Sequence, residues 1–189
     1  MEEMFCFQCQ QTAHNSGCEG RAGVCGKKSD TANYQDELTG ALIGLSRAVR
    51  KKLALNPDAS FEHADELILK GLFTTITNVN FFNDTIIELI HEVNVEKDRI
   101  YPDIMNYDVR HIWEDQEDIR SLKSLILFGL RGMAAYAYHA YALDYTDRNV
   151  LDFFYEGLEA IGLEKSSDEL LALVLKTGEI NFRCMELLD

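Results

Sequence analysis

The stretch Asp36-Glu37-Leu38-Thr39-Gly40-Ala41-Leu42-Ile43-Gly44-Leu45-Ser46-Arg47-Ala48-Val49-Arg50-Lys51-Lys52 decides the fold. Leu38, Leu42, Leu45 and Val49 recur at steps of three and four residues, which stacks them on one face of a helix. Arg47, Arg50, Lys51 and Lys52 crowd its last turn, where the helix dipole favours cations. Asn56-Pro57-Asp58 ends it, and upstream Ser29-Asp30-Thr31 offers short polar side chains that cap first amides.

Working outward, the helical period persists. A second helix is expected from near Ser60, with Ala64, Leu67, Ile68, Gly71, Leu72, Thr75 and Ile76 as its apolar stripe. It is expected to run on through Phe81, Ile86, Leu89 and Ile90, with Asn78 and Asn80 as the polar pair able to interrupt it. Tyr101-Pro102-Asp103 opens a loop. After Trp113 an acidic start (Glu114, Asp115, Glu117, Asp118) leads into a third helix, whose apolar face is Leu122, Leu125, Ile126, Gly129, Leu130, Met133 and Ala134 and which extends to Leu143. Thr146-Asp147-Arg148 reads as a break and a cap before a helix of Val150 to Ile161, with Gly162 as its C-cap. Ser166-Ser167-Asp168 caps a last helix through Leu188. No segment alternates at period two, so the fold class is all-α: a helical bundle, or two three-helix bundles packed together. Residues 1–28 read as a cysteine-rich loop and residues 29–189 as the helical domain, the two packed as one unit.

A chain of 189 residues with 47% hydrophobic content can bury a sizeable core. Its formal net charge of −14 repels nucleic-acid phosphates and anionic membrane surfaces, so neither is an expected partner. Met1 to Phe7 has no basic leader segment, and no apolar run reaches membrane-spanning length. The expectation is a soluble, cytoplasmic protein.

Four of the five cysteines lie within the first 25 residues: Cys6-Phe7-Gln8-Cys9, then Cys18, then Cys25. Four thiolates on one glycine-rich segment suit a tetrahedral metal or an iron-sulfur cluster. The two-residue spacing lets Cys6 and Cys9 reach one centre while the intervening amides turn toward the sulfur. Gly17 before Cys18 and Gly26 after Cys25 permit the backbone conformations that a loop closing on a bulky centre needs. Four-cysteine zinc sites pair two short hairpins, whereas one such pair is present here, so spacing places iron-sulfur ahead of zinc and leaves both open. A zinc- or disulfide-stapled helical interaction module without redox activity is the competing reading, although a reducing compartment disfavours disulfides.

The remaining candidates have plainer readings. Cys184 on the last helix is a small core residue, and His139, within Tyr136, Tyr138, Tyr141 and Tyr145, reads as a packed histidine among core tyrosines. His14 sits inside the cysteine loop, where four cysteines already suffice as ligands, and His63, His91 and His111 show no partner pattern. Glu88 with Glu92, and Glu114 with Asp118, lack the Glu-x-x-His partner set of a di-iron bundle, since Glu88-Leu89-Ile90-His91 is a single such spacing where a pair is needed.

The flanking residues carry a resemblance. Met4-Phe5-Cys6-Phe7-Gln8-Cys9-Gln10-Gln11-Thr12-Ala13, Gly17-Cys18 and Gly23-Val24-Cys25-Gly26-Lys27 resemble the N-terminus of the hybrid-cluster (prismane, hydroxylamine reductase) proteins. Asn33-Tyr34-Gln35-Asp36-Glu37-Leu38, Thr75-Ile76-Thr77-Asn78-Val79-Asn80-Phe81 and Gly129-Leu130-Arg131-Gly132-Met133-Ala134-Ala135-Tyr136 resemble that family's first, helical domain. The resemblance implies that Cys6, Cys9, Cys18 and Cys25 ligate a 4Fe-4S cluster, or 2Fe-2S as in some members, with zinc as the alternative. It further implies electron transfer toward a second, iron-sulfur-oxygen cluster that reduces hydroxylamine or nitric oxide in an oxidoreductase. In members with the shorter first gap, the last two ligands stand one residue closer than here, which places an insertion around Gly20-Arg21-Ala22. The second cluster takes several thiolates from downstream domains, and Cys184 is the one cysteine outside the array, so this chain does not build it. The partner is expected to be a redox protein or those catalytic domains.

Overall fold

The computed structural model describes residues 3–9, 16–76 and 79–188. The stretch quoted first forms the centre of helix α1, Ser29–Leu55. Leu38, Leu42, Leu45 and Val49 are fully buried, as their spacing requires. The helix starts without a side-chain cap from Lys28; Asp30 instead takes the Thr31 amide at 2.8 Å.

The expected second helix is two. Helix α2, Glu62–Thr74, ends at Thr75, whose hydroxyl donates to the Leu72 carbonyl at 2.8 Å. Helix α3, Asn83–Ile100, starts after Asn80 Oδ1 has accepted the Phe82 amide at 2.8 Å. A short amide side chain that binds local backbone competes with the helical ladder, which is why the polar pair breaks it. Asn78 lies outside the described residues. A single turn, α4 (His111–Glu114), holds Trp113 ahead of helix α5, Glu117–Tyr141. Helix α6, Arg148–Ile161, carries the predicted Asp147 cap. Helix α7, Ser167–Glu186, starts on a full capping box between Ser166 and Glu169.

Helices α1, α2 and α3 pack on one another, as do α5, α6 and α7, while α1 against α6 and α2 against α5 join the two triplets. One continuous core runs through both, from Leu38 and Leu42 to Phe153, Phe154 and Leu158. Close approach is set by small residues: a Cβ on Gly40 would occupy the place of the Tyr107 carbonyl, and Gly71 leaves room for Leu42. Cys184 is fully buried as expected. Tyr138 and Tyr141 pack on the core as expected, while Tyr136, Tyr145 and His139 correct their reading. Tyr136 and Tyr145 are exposed and Tyr138 and Tyr141 half-buried, and His139 is exposed with Nδ1 2.5 Å from the Ala135 carbonyl. Tyr136, His139 and Tyr145 lie on the solvent side of α5 and the turn beyond it, because the core face is already filled by Met133, Ala134, Ala137 and Ala140.

Among the described residues the cysteine segment is more than a loop. Strands β1 (Met4–Cys6) and β2 (Cys18–Gly20) form an antiparallel ribbon that the period-two criterion missed, since each strand has only three residues. No helix of the described residues is long and apolar enough to cross a membrane.

Candidate functional site

Alternation along β1 divides its side chains between two jobs. Phe5 and Phe7 turn to Trp113, edge-on at 4.8 and 4.5 Å between ring centroids, and Phe7 reaches Phe128 of α5 at 6.4 Å. Met4 and Cys6 take the other side, where Met4, Cys18 and Ala32 form a small buried apolar cluster that Cys6 packs against. The ribbon register sets Cys6 directly opposite Cys18.

Cys25 arrives on a tight turn. The Gly23 amide donates to the Lys27 carbonyl at 2.8 Å, the Gly26 amide to the Gly23 carbonyl at 2.9 Å, and Ser29 closes onto Arg21 at 3.1 Å. Gly26 has φ +84, a left-handed conformation that glycine adopts without strain. Gly17 has positive φ too, and a Cβ there would meet the Phe5 ring at 2.5 Å. Gly23 lies between two cysteines: a Cβ on it would stand 3.6 Å from Cys25 Sγ and 3.7 Å from Cys18 Cβ. Cys9 is half-buried three residues beyond Cys6. All five cysteines are free thiols.

Beneath the thiols is a polar floor. Lys27, 2% exposed, donates from Nζ to Gln35 Oε1 at 2.5 Å and Gln8 Oε1 at 3.2 Å, and lies 5.9 Å from the Phe81 ring. Gln8 Nε2 donates to Asp36 at 3.2 Å, and Gln35 Nε2 to the Asn80 carbonyl at 2.9 Å. Arg131 of α5 is buried, with Nε donating to Thr75 Oγ1 and Nη2 to Thr39 Oγ1, both at 3.1 Å. Its Nη1 is buried without a hydrogen-bond partner among the described residues.

Burial dominates the charge states here. It pushes the Cys6 thiol up, against the Gln8 amide that hydrogen-bonds its sulfur and the nearby Lys27 charge. It raises the Asp36 carboxyl to about 6, against the pull of Arg131, and lowers Arg131 to about 10, against Asp36 and Cys6. An open cavity of about 720 Å³ flanks this floor, lined by Glu3, Asp36, Glu37, Asp108 and Tyr107 among others. Its carboxylates make it a poor anion pocket.

Among the predicted site residues, then, the fold pairs Cys6 with Cys18 and sets both Cys18 and Cys25 next to Gly23. No group of three or more His, Cys, Asp or Glu side chains is close enough to hold a metal ion among the described residues. His14 lies outside them. His63 and His111 sit at 3.9 and 4.0 Å from Glu66 and Glu114, far from the ribbon in sequence. Sequence reading missed the floor of Lys27, Gln35 and Arg131. A signal for part of it existed: Gln35 and Thr39 occupy the same stripe of α1 as buried Leu42.

Comparison with known proteins places this arrangement. The Prismane/CO dehydrogenase family model matches residues 4–189. The hydroxylamine reductase of Desulfitobacterium hafniense (strain Y51) is 37% identical over 214 aligned residues, covering 98% of this chain and 38% of that protein. That of Halothermothrix orenii is 38% identical over 98% of this chain and 39% of its own length. That of Caldanaerobacter subterraneus is 37% identical over 99% of this chain and 39% of its own. The chain therefore spans about two fifths of the length of these relatives. A match from β1 to the end of α7 means that the chain belongs to the Prismane/CO dehydrogenase family.

Proposed function

We propose that this chain is the iron-sulfur electron-transfer unit of a hydroxylamine reductase-type oxidoreductase, with Cys6, Cys9, Cys18 and Cys25 holding a 4Fe-4S cluster. The observation that carries the reading is the opposition of Cys6 and Cys18 across the ribbon, with Cys18 and Cys25 both next to Gly23, over two buried cations, Lys27 and Arg131. Four thiols and a cationic floor suit a negatively charged sulfur centre: each thiolate carries a charge that a buried ammonium or guanidinium offsets. The cluster, when bound, supplies one-electron redox chemistry.

The residues around it have definable work. Cys6 and Cys18 are held in register by the ladder, and the Gln8 amide donates to the Cys6 sulfur. Gln8 and Gln35 fix the Lys27 ammonium in place. Phe5, Phe7 and Trp113 exclude water from the opposite side of β1. The destination of the electron is a hydroxylamine- or nitric-oxide-reducing centre outside this chain. In support of a protein partner, α7 presents Leu171, Leu175, Phe182 and Met185 along one exposed stripe, with Phe182 66% exposed. An apolar stripe of that length on a highly charged surface suits coverage by further protein.

The test is anaerobic purification followed by iron, sulfide and zinc analysis and a visible spectrum. Iron with matching sulfide and a brown chromophore are expected. Cys9→Ser loses the cluster and Cys184→Ser keeps it. A colourless zinc protein, or equal cluster content in the Cys9 variant, refutes the proposal.

A further inference from the structure

Arg131 has no explanation in packing alone. A guanidinium buried beneath 6% exposure is costly, and an apolar side chain of similar volume would fill the space without that cost. Two of its nitrogens are tied down. Thr39 gives its own proton to the Gln35 carbonyl at 2.8 Å, and Thr75 gives its proton to the Leu72 carbonyl at 2.8 Å. Both hydroxyls are thereby left to accept, and they lock Nη2 and Nε. The third nitrogen, Nη1, is buried and unpaired among the described residues. Thr39 stands one turn of α1 beyond Gln35 and Asp36, which hold Lys27 and Gln8 beneath the cysteines, and the acidic groups that bear on this guanidinium are Asp36 and the Cys6 thiol above it. Asp36 already receives the Gln8 amide.

We infer that Arg131 is a positioning residue of the cysteine site, its locked guanidinium aiming the free Nη1–H at sulfur on the Cys6 side of the centre. The inference rests on the proposed cluster. A hydrogen bond to cluster sulfur, and a buried positive charge beside it, stabilise the reduced, more negative state. Arg131 therefore sets the reduction potential rather than cluster retention, which the thiolates provide. Two threonines, on α1 and at the end of α2, are the device that keeps the fork oriented.

The experiment uses the full chain, reconstituted anaerobically with iron and sulfide, as wild type, Arg131→Lys, Arg131→Met, and Arg148→Met as a remote arginine control. Reduction potentials come from redox titration followed by electron paramagnetic resonance. Iron and sulfide content is expected to be equal across the set. The potential is expected to move to more negative values in Arg131→Met, to move less in Arg131→Lys, and to stay put in Arg148→Met. If Arg131→Met does not fold, Thr75→Val, which unfastens Nε and leaves the charge, takes its place with a smaller negative shift. Wild-type and Arg131 variants with full clusters and one shared potential overturn the inference while leaving the cluster reading intact. A wild type that takes up no iron and sulfide overturns the cluster reading itself.

Discussion

Gly40 and Gly132 are both helical glycines, yet they answer to opposite forces. The Tyr107 carbonyl sits where a Gly40 side chain would go, and the Tyr107 amide returns a 3.1 Å hydrogen bond to the Gly40 carbonyl. Gly40→Ala must push the 101–110 segment off α1, an overpacking cost of about 1–3 kcal/mol. A Cβ on Gly132 meets nothing within 4 Å. Gly132→Ala is expected to stabilise by about 0.5–1 kcal/mol through helix propensity. Urea melts of the two variants check the pair, and equal signs for both would contradict the geometry. At this scale the sequence said little, because identical residues differ here only in what approaches them from far along the chain.

At the scale of elements, Asp147 shows how a helix start is fastened twice. Its carboxylate accepts the Asn149 amide at 2.8 Å and Arg183 Nε of α7 at 2.7 Å, so it caps α6 and ties the two helices together. Arg183, chiefly, holds this carboxyl below its ordinary value of 3.8. A carboxyl depressed in the folded state contributes stability that is complete above its unfolded value and is lost as pH falls through the folded one. Asp147→Ala is therefore expected to cost about 1 kcal/mol at neutral pH, with the gap to wild type closing as pH drops below 3.8. Thermal melts from neutral to strongly acid pH measure it, and a gap unchanged across that range would count against the assignment. This cap, and the Ser166 one, were legible in the sequence because capping depends on residues within one turn. The β1–β2 ribbon was not, since three residues are too few to display a period. The split between α2 and α3 was half legible: Asn80 advertised a break, but Thr75 closing onto Leu72 came from a residue counted in the apolar stripe. The same limit applies to the site. Its cysteines announced themselves by crowding, whereas Lys27, Gln35 and Arg131 meet from three separate elements.

Across the whole molecule, the two helix triplets are joined by one buried polar knot as well as by core. Asp65 of α2 accepts the Tyr155 hydroxyl of α6 at 2.6 Å and Arg148 Nη1 at 3.0 Å. Burial raises the Asp65 carboxyl, and burial with the neighbouring Asp65 pushes the Tyr155 phenol well above its ordinary value. Tyr155→Phe removes a donor from a desolvated carboxylate and is expected to cost about 1–3 kcal/mol. Asp65→Asn combined with Tyr155→Phe should cost less than the two single changes added together, because no charge is then left stranded. Strict additivity in that double-mutant cycle would deny the knot any role in joining the triplets.

The ribbon that carries Cys6 and Cys18 has three residues per strand, and a two-stranded hairpin of that size does not stand alone in water. Its support is Trp113, brought to it by α4 and α5, and Ala32 of α1. The ribbon therefore depends on the helices: a chain that has only its cysteine segment has nowhere to seat it. The register of Cys6 opposite Cys18 is thus a report on the completeness of the fold, since part of what holds it, Trp113, is supplied by chain more than a hundred residues beyond Cys6.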